Sequence, residues 1–494
     1  MAQTGRYAAV DLGAESGRVV LGTIREGRLD LAEVHRFLNE PQWLLGRFCW
    51  DTVRLFAEIK TGLARCAREH DPRLDGIGLD TWGVDFALLD ADDEVLGLPR
   101  HYRDPRTNGV MERTFQIVSR EEIYRTTGIQ FMQINSLFQL MALRFARSPL
   151  LEAARHLLFM PDLLNFWLTG RRANEVTIAS TSQCWDPVSG DWARGMLDRL
   201  GIPAALFCEL VPPGTTLGTL HESVQRDTGL GAVPVIAPAT HDTGSAVAAV
   251  PAEGAEDWAY VSCGTWSLVG IESPRPVITD RSLECNLTNE AGVGGTTRLL
   301  GNVMGLWILQ QCRRAWERAG RRYGYDELAA LAAQAPPHAA LIDPDDPRFL
   351  NPPDMPAAIA DFCRETGQTP PESVAAITRC IVESLALKYR WVLDRLEEVA
   401  GRPIGRVHLI GGGSQNRQLC QATADASGRP VLAGPVEATA AGNVVVQAMG
   451  AGRLESLAAA RALVRASFPL QEYRPADTTA WDSAYARFLS LLRG

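Results

Sequence analysis

Residues 7–18, YAAVDLGAESGR, limit the fold of this chain more than any other stretch. Small apolar residues from Tyr7 to Val10 read as a buried strand that ends in an acid, Asp11. The turn Gly13-Ala14-Glu15-Ser16-Gly17 follows, and Arg18 opens a second apolar run, RVVLGTI. A third strand-like stretch, RLDLAEVHRF, comes after Gly27. Strand, turn, strand predicts an antiparallel hairpin. Its turn can offer backbone N–H groups, the Ser16 hydroxyl and the Arg18 guanidinium to phosphate oxygens. Asp11 beside them can hold a hydrated Mg²⁺. By itself the stretch reads equally as an ordinary hairpin whose glycines only make the turn.

Three later segments bear on that choice. VPVIAPA (233–239) is strand-like and runs into Thr240-His241-Asp242-Thr243-Gly244-Ser245. WAYVSCGTWSLVGIES (258–273) holds two strand-like runs that meet at Gly264-Thr265. VHLIGGGSQNRQL (407–419) is a strand, three glycines and a helix start near Gln415. The remaining expectations are a helix over 52–69, a strand over 76–83 and a hairpin over 84–98 around Asp90–Asp93. Helices dominate 110–206, and further helical stretches fall at 304–318, 325–334, 373–399 and 437–450. The plan of hairpin, helices and strand–glycine turn–helix thus occurs twice. That predicts two related halves, 1–250 and 251–494, with a boundary around Pro251-Ala252-Glu253-Gly254. Domain clefts are common ligand sites.

Composition excludes several classes. A net charge of −9 gives no reason to propose nucleic acid or an anionic membrane as a partner. MAQTGRYAAV has the pattern of neither a signal nor a transit peptide, and no segment approaches the ~18 apolar residues of a membrane span. The ten cysteines are scattered singly, which predicts reduced thiols in the cytoplasm. Lys60 and Lys388 are the two lysines, and neither sits in G-x-x-x-x-G-K-[ST]. Any ATP site here works without a Walker lysine.

Two hairpins and a strand–GGG–helix occur in the order of the phosphate and adenosine motifs of the sugar kinase/Hsp70/actin superfamily. DTWGVDFALLD (80–90), HYRDPRTNG (101–109), Met160-Pro161-Asp162 with Leu168-Thr169-Gly170, ATHDTGSAV (239–247), SCGTWSLVG (262–270), GNVMGLWILQ (301–310), IGGGSQN (410–416) and AGPVEATAAGN (433–443) narrow the match. The chain resembles the FGGY carbohydrate kinases from about residue 7 to about residue 450, and within them the branch acting on L-rhamnulose. The resemblance implies an α/β fold of two ribonuclease H-like domains with an interdomain cleft. It implies ATP-dependent phosphorylation of L-rhamnulose at O1 in L-rhamnose catabolism, with Mg²⁺. The sugar and ATP would be the partners, with neither nucleic acid nor membrane; the sequence does not set the number of subunits. Kinases of L-fuculose or xylulose, and an actin- or Hsp70-like nucleotide-gated protein, are the alternatives.

The resemblance also assigns residues. Asp242 would be the proton acceptor, although an acid at a helix start is ordinarily a cap. Gly83, His241, Thr243 and Asn302 would meet the sugar beside it. Ala14, Glu15, Ser16, Gly17, Arg18, Thr265, Gln310 and Gly412 would meet ATP, and Asp11 the metal. Asn302 is expected just before a helix, with Gln310 eight positions on and so on much the same helical side. Arg103 and Asp104 read as a surface ion pair, or as part of a loop near the sugar with no assigned role.

Overall fold

The computed structural model describes residues 4–70, 72–254, 257–476 and 478–492. Its contacts divide into two compact units. Unit 1 comprises Met1–Glu253, Glu272–Leu299 and Ala438–Ser467; unit 2 comprises Gly254–Ile271, Leu300–Glu437 and Phe468–Gly494.

In unit 1 the first strand, β1 (Gly5–Leu12), is buried along almost its whole length. Small residues in YAAVDL allow that, because the strand has a neighbour on each side and is covered on both faces. β2 (Ser16–Arg25) pairs antiparallel with β1, and β3 (Arg28–Leu38) pairs antiparallel with β2. β4 (Gly76–Thr81) lies parallel to β1, so a crossover must connect them, and the helix α1 (Thr52–Arg65) does so. Asp51 caps this helix by accepting from the Arg54 N–H. A wider π-type turn, Cys66–His70, finishes the stretch expected as one helix.

β5 (Phe86–Leu89) departs from expectation. It pairs antiparallel with β6 (His156–Phe159), and the expected hairpin over 84–98 reduces to one bridge, Leu89 to Val95. Phe86 and Leu88 face a core that also contains Leu157 and Phe159, and this long-range burial sets the pairing. β7 (Thr216–Thr219) and the short β8 (Pro234–Ile236) complete a sheet of order β7-β8-β4-β1-β2-β3. After β8 comes the helix α2 (Asp242–Ala248).

Unit 2 restates the arrangement. β9 (Trp258–Cys263) pairs antiparallel with β10 (Trp266–Ser273), whose other neighbour is β11 (Thr297–Met304). After the helices α3 (Trp307–Arg318) and α4 (Val374–Ala400), β12 (Arg406–Ile410) joins β9 in parallel. The helix α5 (Arg417–Ser427) then leads to β13 (Val431–Ala433), parallel to β12, and β14 (Gln471–Tyr473) closes that edge. An antiparallel pair with a third strand beside it, and parallel additions on its first strand, is the strand order of unit 1 as well. The repeated plan read from the sequence is therefore present in the structure.

The helix α6 (Ala438–Gly450) belongs to unit 1 and packs on α2. Gly442 permits the approach: a Cβ there would lie 1.7 Å from the Ser245 carbonyl oxygen. Among the described residues no helix is long and apolar enough to cross a membrane.

Candidate active site

Parallel pairing of β1 and β4 puts Asp11 directly beside Asp80. Both acids come at the carboxyl ends of their strands, after AAV and IGL. Thr81 bridges in parallel to His241, so the segment after β8 ends beside them. In open sheets of this kind, ligands collect at the carboxyl ends of the strands. Three carboxylates, Asp11, Asp80 and Asp242, thereby influence one another. Burial pushes the Asp80 carboxyl well up from its usual range; Asp11 adds to this, while Asn443 of α6, donating to Oδ2 at 2.6 Å, opposes it. Asp80 Oδ1 is buried without a hydrogen-bond partner. Asp80 lies in the DTWGVDFALLD motif and is a site residue to which the resemblance assigns no role. The signal was present, since two apolar strands each ending in Asp would align their acids if paired in parallel.

Asp242 is the first residue of α2, and the position before it, the cap, is His241. The capping alternative for Asp242 does not describe the structure, because its carboxylate accepts from its neighbour Thr243, at 2.5 Å from N and 3.2 Å from Oγ1. Its side chain remains 29 % exposed. Burial raises its pKa, His241 lowers it and Asp11 raises it. An acid in the first turn is favoured by the helix dipole.

His241 is held on both sides. Nε2 is 3.5 Å from Asp242 Oδ1, and Nδ1 is 3.3 Å from Glu290 Oε2 and 3.2 Å from Arg298 Nη2. Arg298 is fully buried, ion-paired with Glu290 at 3.1 Å and donating from Nε to the Ala291 carbonyl. Beneath this, Glu175 accepts from both N and Oγ1 of Thr240 and from Oγ1 of Thr177, and Thr177 Oγ1 in turn accepts from the His241 N–H. Glu290, Arg298, Glu175 and Thr177 were not legible as site residues, because they act through contacts between distant segments.

The first turn, Gly13–Gly17, closes through the Gly13 N–H donating to the Ser16 carbonyl. Asn39 ties it down, with N donating to Glu15 O and Nδ2 to Gly13 O. Arg18 turns onto the acid at the end of β1: Nε and Nη2 both donate to Asp11 Oδ2, at 2.9 and 2.7 Å. Gly83 follows β4, near Thr181 and His241. Arg103 and Asp104 are buried and not a surface pair. Asp104 instead accepts from the Phe48 N–H and pairs with Arg100 at 3.2 Å.

All of these residues lie in unit 1. Thr265, Asn302, Gln310 and Gly412 lie in unit 2. Gly264 and Thr265 form the β9–β10 turn, closed by Gly264 N–H donating to Trp266 O, the counterpart of the first turn. The start of α3 sits on this turn, with Leu306 N donating to Gly264 O and Trp307 N to Thr265 O. Asn302 lies within β11, five residues before α3 begins at Trp307, and so is not at the helix start where the sequence places it. The helical spacing from Asn302 to Gln310 therefore does not apply. Gln310 is in α3, and its Oε1 is buried without a hydrogen-bond partner, an acceptor of the kind that a ligand satisfies.

The glycine turn packs onto the same place. Gly411 has φ +80°, and a Cβ on Gly413 would lie 2.2 Å from Cys263 Sγ. Gly412 differs, because a Cβ there meets nothing within 4 Å. Gly412–Gln415 form a 3₁₀ turn, and α5 begins at Arg417, with Asn416 accepting from Leu419 N.

Comparisons with known proteins agree with this architecture. The family model "FGGY family of carbohydrate kinases, N-terminal domain" matches residues 6–249, and the C-terminal domain model matches 259–451. A curated protein of Bacteroides thetaiotaomicron named rhamnulokinase is 49 % identical over 487 residues, covering 99 % of each chain. The rhamnulokinase of Pectobacterium carotovorum is 45 % identical over 486 residues, covering 98 % of this chain and 96 % of its own. Among solved structures, xylulose kinase from Lactobacillus acidophilus superposes with a TM-score of 0.82 at 15 % identity, over 99 % of this chain and 97 % of that one. With family models spanning most of its length and relatives this similar over nearly all of it, the chain belongs to the FGGY family of carbohydrate kinases.

Proposed function

We propose that the chain transfers the γ-phosphoryl group of ATP to O1 of L-rhamnulose, giving L-rhamnulose 1-phosphate and ADP in L-rhamnose catabolism. The choice of sugar follows the name carried by relatives 40–49 % identical to it over nearly their whole length. The observation that carries the chemistry is Asp242, a carboxylate in the first turn of α2 with no capping duty and part of its surface open. In phosphoryl transfer most of the work is positioning and charge stabilisation, so the base needs only to orient the hydroxyl and take its proton. Asp242 accepts the O1 proton as O1 bonds to the γ-phosphorus and the bond to the ADP oxygen breaks. Burial lifts its pKa towards neutrality, where a general base is most effective. His241 and Thr243 flank it and, with Gly83 and Asn302, are assigned to the sugar.

ATP is assigned to the turn Ala14, Glu15, Ser16, Gly17 and Arg18, to Thr265, Gln310 and Gly412. The unpartnered Gln310 Oε1 and the open space over Gly412 support this. Mg²⁺ fits the acidic group. Asp11 raises the pKa of both Asp80 and Asp242, a crowding of like charge that a divalent cation relieves. Among the described residues no cluster of three or more metal-ligating side chains occurs. Mg²⁺ needs only one or two carboxylates alongside waters and phosphates, and Asp11 is the residue assigned to it. When bound, the cation neutralises phosphate charge. We assign residues 1–250 to sugar binding, the first phosphate turn and the base, and 251–494 to the second phosphate turn and adenosine. The scattered single cysteines support a cytoplasmic location.

A coupled ADP-release assay over L-rhamnulose, L-fuculose, D-xylulose and simple polyols tests the reading. The highest kcat/KM is expected for L-rhamnulose; a higher value for another sugar reassigns the substrate, and no ADP with any of them overturns the kinase reading. Gly412→Val tests the nucleotide site. A Cβ there meets nothing within 4 Å, so the fold is expected to persist, checked by the melting temperature, and KM for ATP is expected to rise more than tenfold with KM for the sugar unchanged. An unchanged KM for ATP moves the nucleotide away from Gly412.

A further inference from the structure

The loop between β4 and β5 contains a strained residue. Val84 has φ +68°, a conformation that a β-branched side chain adopts only when its surroundings impose it. The Asp85 N–H donates to the Gly83 carbonyl at 2.9 Å across it, so Val84 is the centre of a γ-turn of the rare, strained kind.

Three neighbours hold it there. Val84 N donates to Thr181 Oγ1 at 3.1 Å, and Val84 O accepts from Ser136 Oγ at 2.5 Å and from Gln139 Nε2 at 3.3 Å. The next residue is anchored more firmly still. Asp85 Oδ2 accepts from the indoles of Trp50 and Trp82, at 2.6 and 3.1 Å, and from Tyr102 N at 3.2 Å; Oδ1 accepts from Gln139 Nε2 at 3.0 Å. Trp50 and Trp82 have ring centroids 4.0 Å apart, and Trp50 stacks on His101 at 4.3 Å. Four donors converge on one fully buried carboxylate and anchor the residue that follows Val84.

That arrangement sets Gly83 beside His241. A Cβ on Gly83 would stand 3.4 Å from His241 Nε2 and 3.2 Å from Thr181 Oγ1. His241 is the residue next to Asp242. Strain that persists because the surroundings over-determine it gathers at ligand clamps.

We infer that Val84, held by Thr181, and Asp85, held by the indoles of Trp50 and Trp82, are positioning residues that pre-organise the Gly83 backbone for the keto sugar. The inference rests on the sugar-kinase reading above. The bonds cost nothing at the moment of binding because the loop is already ordered, and a loop that had to be ordered then would weaken the sugar's affinity.

The test uses the full-length protein and the sugar it phosphorylates best. Val84→Gly removes the conformational strain and frees the loop to sample other backbone states. KM for the sugar is expected to rise at least tenfold, KM for ATP to stay within twofold, and the melting temperature to stay within a few degrees. Thr181→Val removes the hydroxyl that accepts from Val84 and is expected to raise KM for the sugar in the same way, whereas Thr181→Ser keeps the hydroxyl and is expected to stay within threefold of the parent. Sugar KM within twofold of the parent in both Val84→Gly and Thr181→Val overturns the inference, as does an equal rise in KM for both substrates. A parent protein that phosphorylates no sugar fails the earlier reading instead, before any variant is compared.

Discussion

Asp242→Asn is expected to leave a folded protein that still binds nucleotide and sugar but turns over about 10²–10⁴-fold more slowly, the range for loss of a general base. The substitution is nearly isosteric. The amide oxygen can still accept from Thr243 N, as Oδ1 does now, so the start of α2 keeps its local hydrogen bond. Two things change. The group loses its basicity, and the charge that Asp11 and Asp80 face is removed. Relief of that repulsion gives a second signature. The Asp80 carboxyl, raised mainly by burial and in part by Asp11 and Asp242, is expected to titrate lower in the variant. Steady-state kinetics with binding measured separately decides the case. A variant that keeps more than a tenth of the parent kcat places the base elsewhere.

Arg298→Met carries the largest expected cost to stability. The guanidinium is fully buried and sits against Glu290, which is itself nearly inaccessible. Removing one member of such a pair strands the other charge in a poorly solvated place, at a cost of about 3–5 kcal/mol. Methionine supplies comparable apolar volume, so the loss reports the ion pair with Glu290 and the hydrogen bond donated to the Ala291 carbonyl rather than a cavity. Denaturant unfolding of the full-length protein is the measurement. The double variant Arg298→Met/Glu290→Gln is expected to recover part of the loss, because neither charge then lacks its partner. No recovery would mean that packing, and not ion pairing, is what Arg298 supplies. His241 also loses its 3.2 Å neighbour, so the double variant is expected to regain stability without regaining full sugar affinity.

The fold was legible where local pattern and buried strand coincided. β1, β2 and β3 follow directly from apolar runs separated by Gly13–Gly17 and Gly27, and β9 and β10 from the runs around Gly264. Of the hairpin expected over 84–98, the tip around 90–93 is present, with Leu96 N donating to Leu88 O and Asp90 N to Glu94 O, but the strand partner of Phe86–Leu89 is not the one close in sequence. Phe86 and Leu88 are instead satisfied by Leu157 and Phe159, some seventy residues away. β11 escaped notice because GNVMGLW joins a strand end to a helix start with no break in its apolar character, and periodicity cannot separate the two over so few residues. Arg103 and Asp104 looked like solvated charges, because a sequence does not show that Phe48, His101 and Gln139 close over the loop they occupy.

The sequence by itself determined the doubled strand–turn plan, both hairpin turns, the glycine turn at 411–413, and the identity of Asp11 as an acid at a strand end and of Asp242 as an acid at a helix start. These are local features, set by side-chain type and spacing along a few residues. Only the tertiary structure decided what surrounds those acids. It set Asp80 beside Asp11 by parallel register, turned Arg18 onto Asp11, and put Arg298 and Glu290 behind His241. It also forced Val84 into a left-handed turn against its own preference. The physical reason is the same in each case. A buried charge or a strained backbone is tolerable only when partners from distant segments meet it, and those partners are chosen by packing and strand order rather than by neighbouring residues.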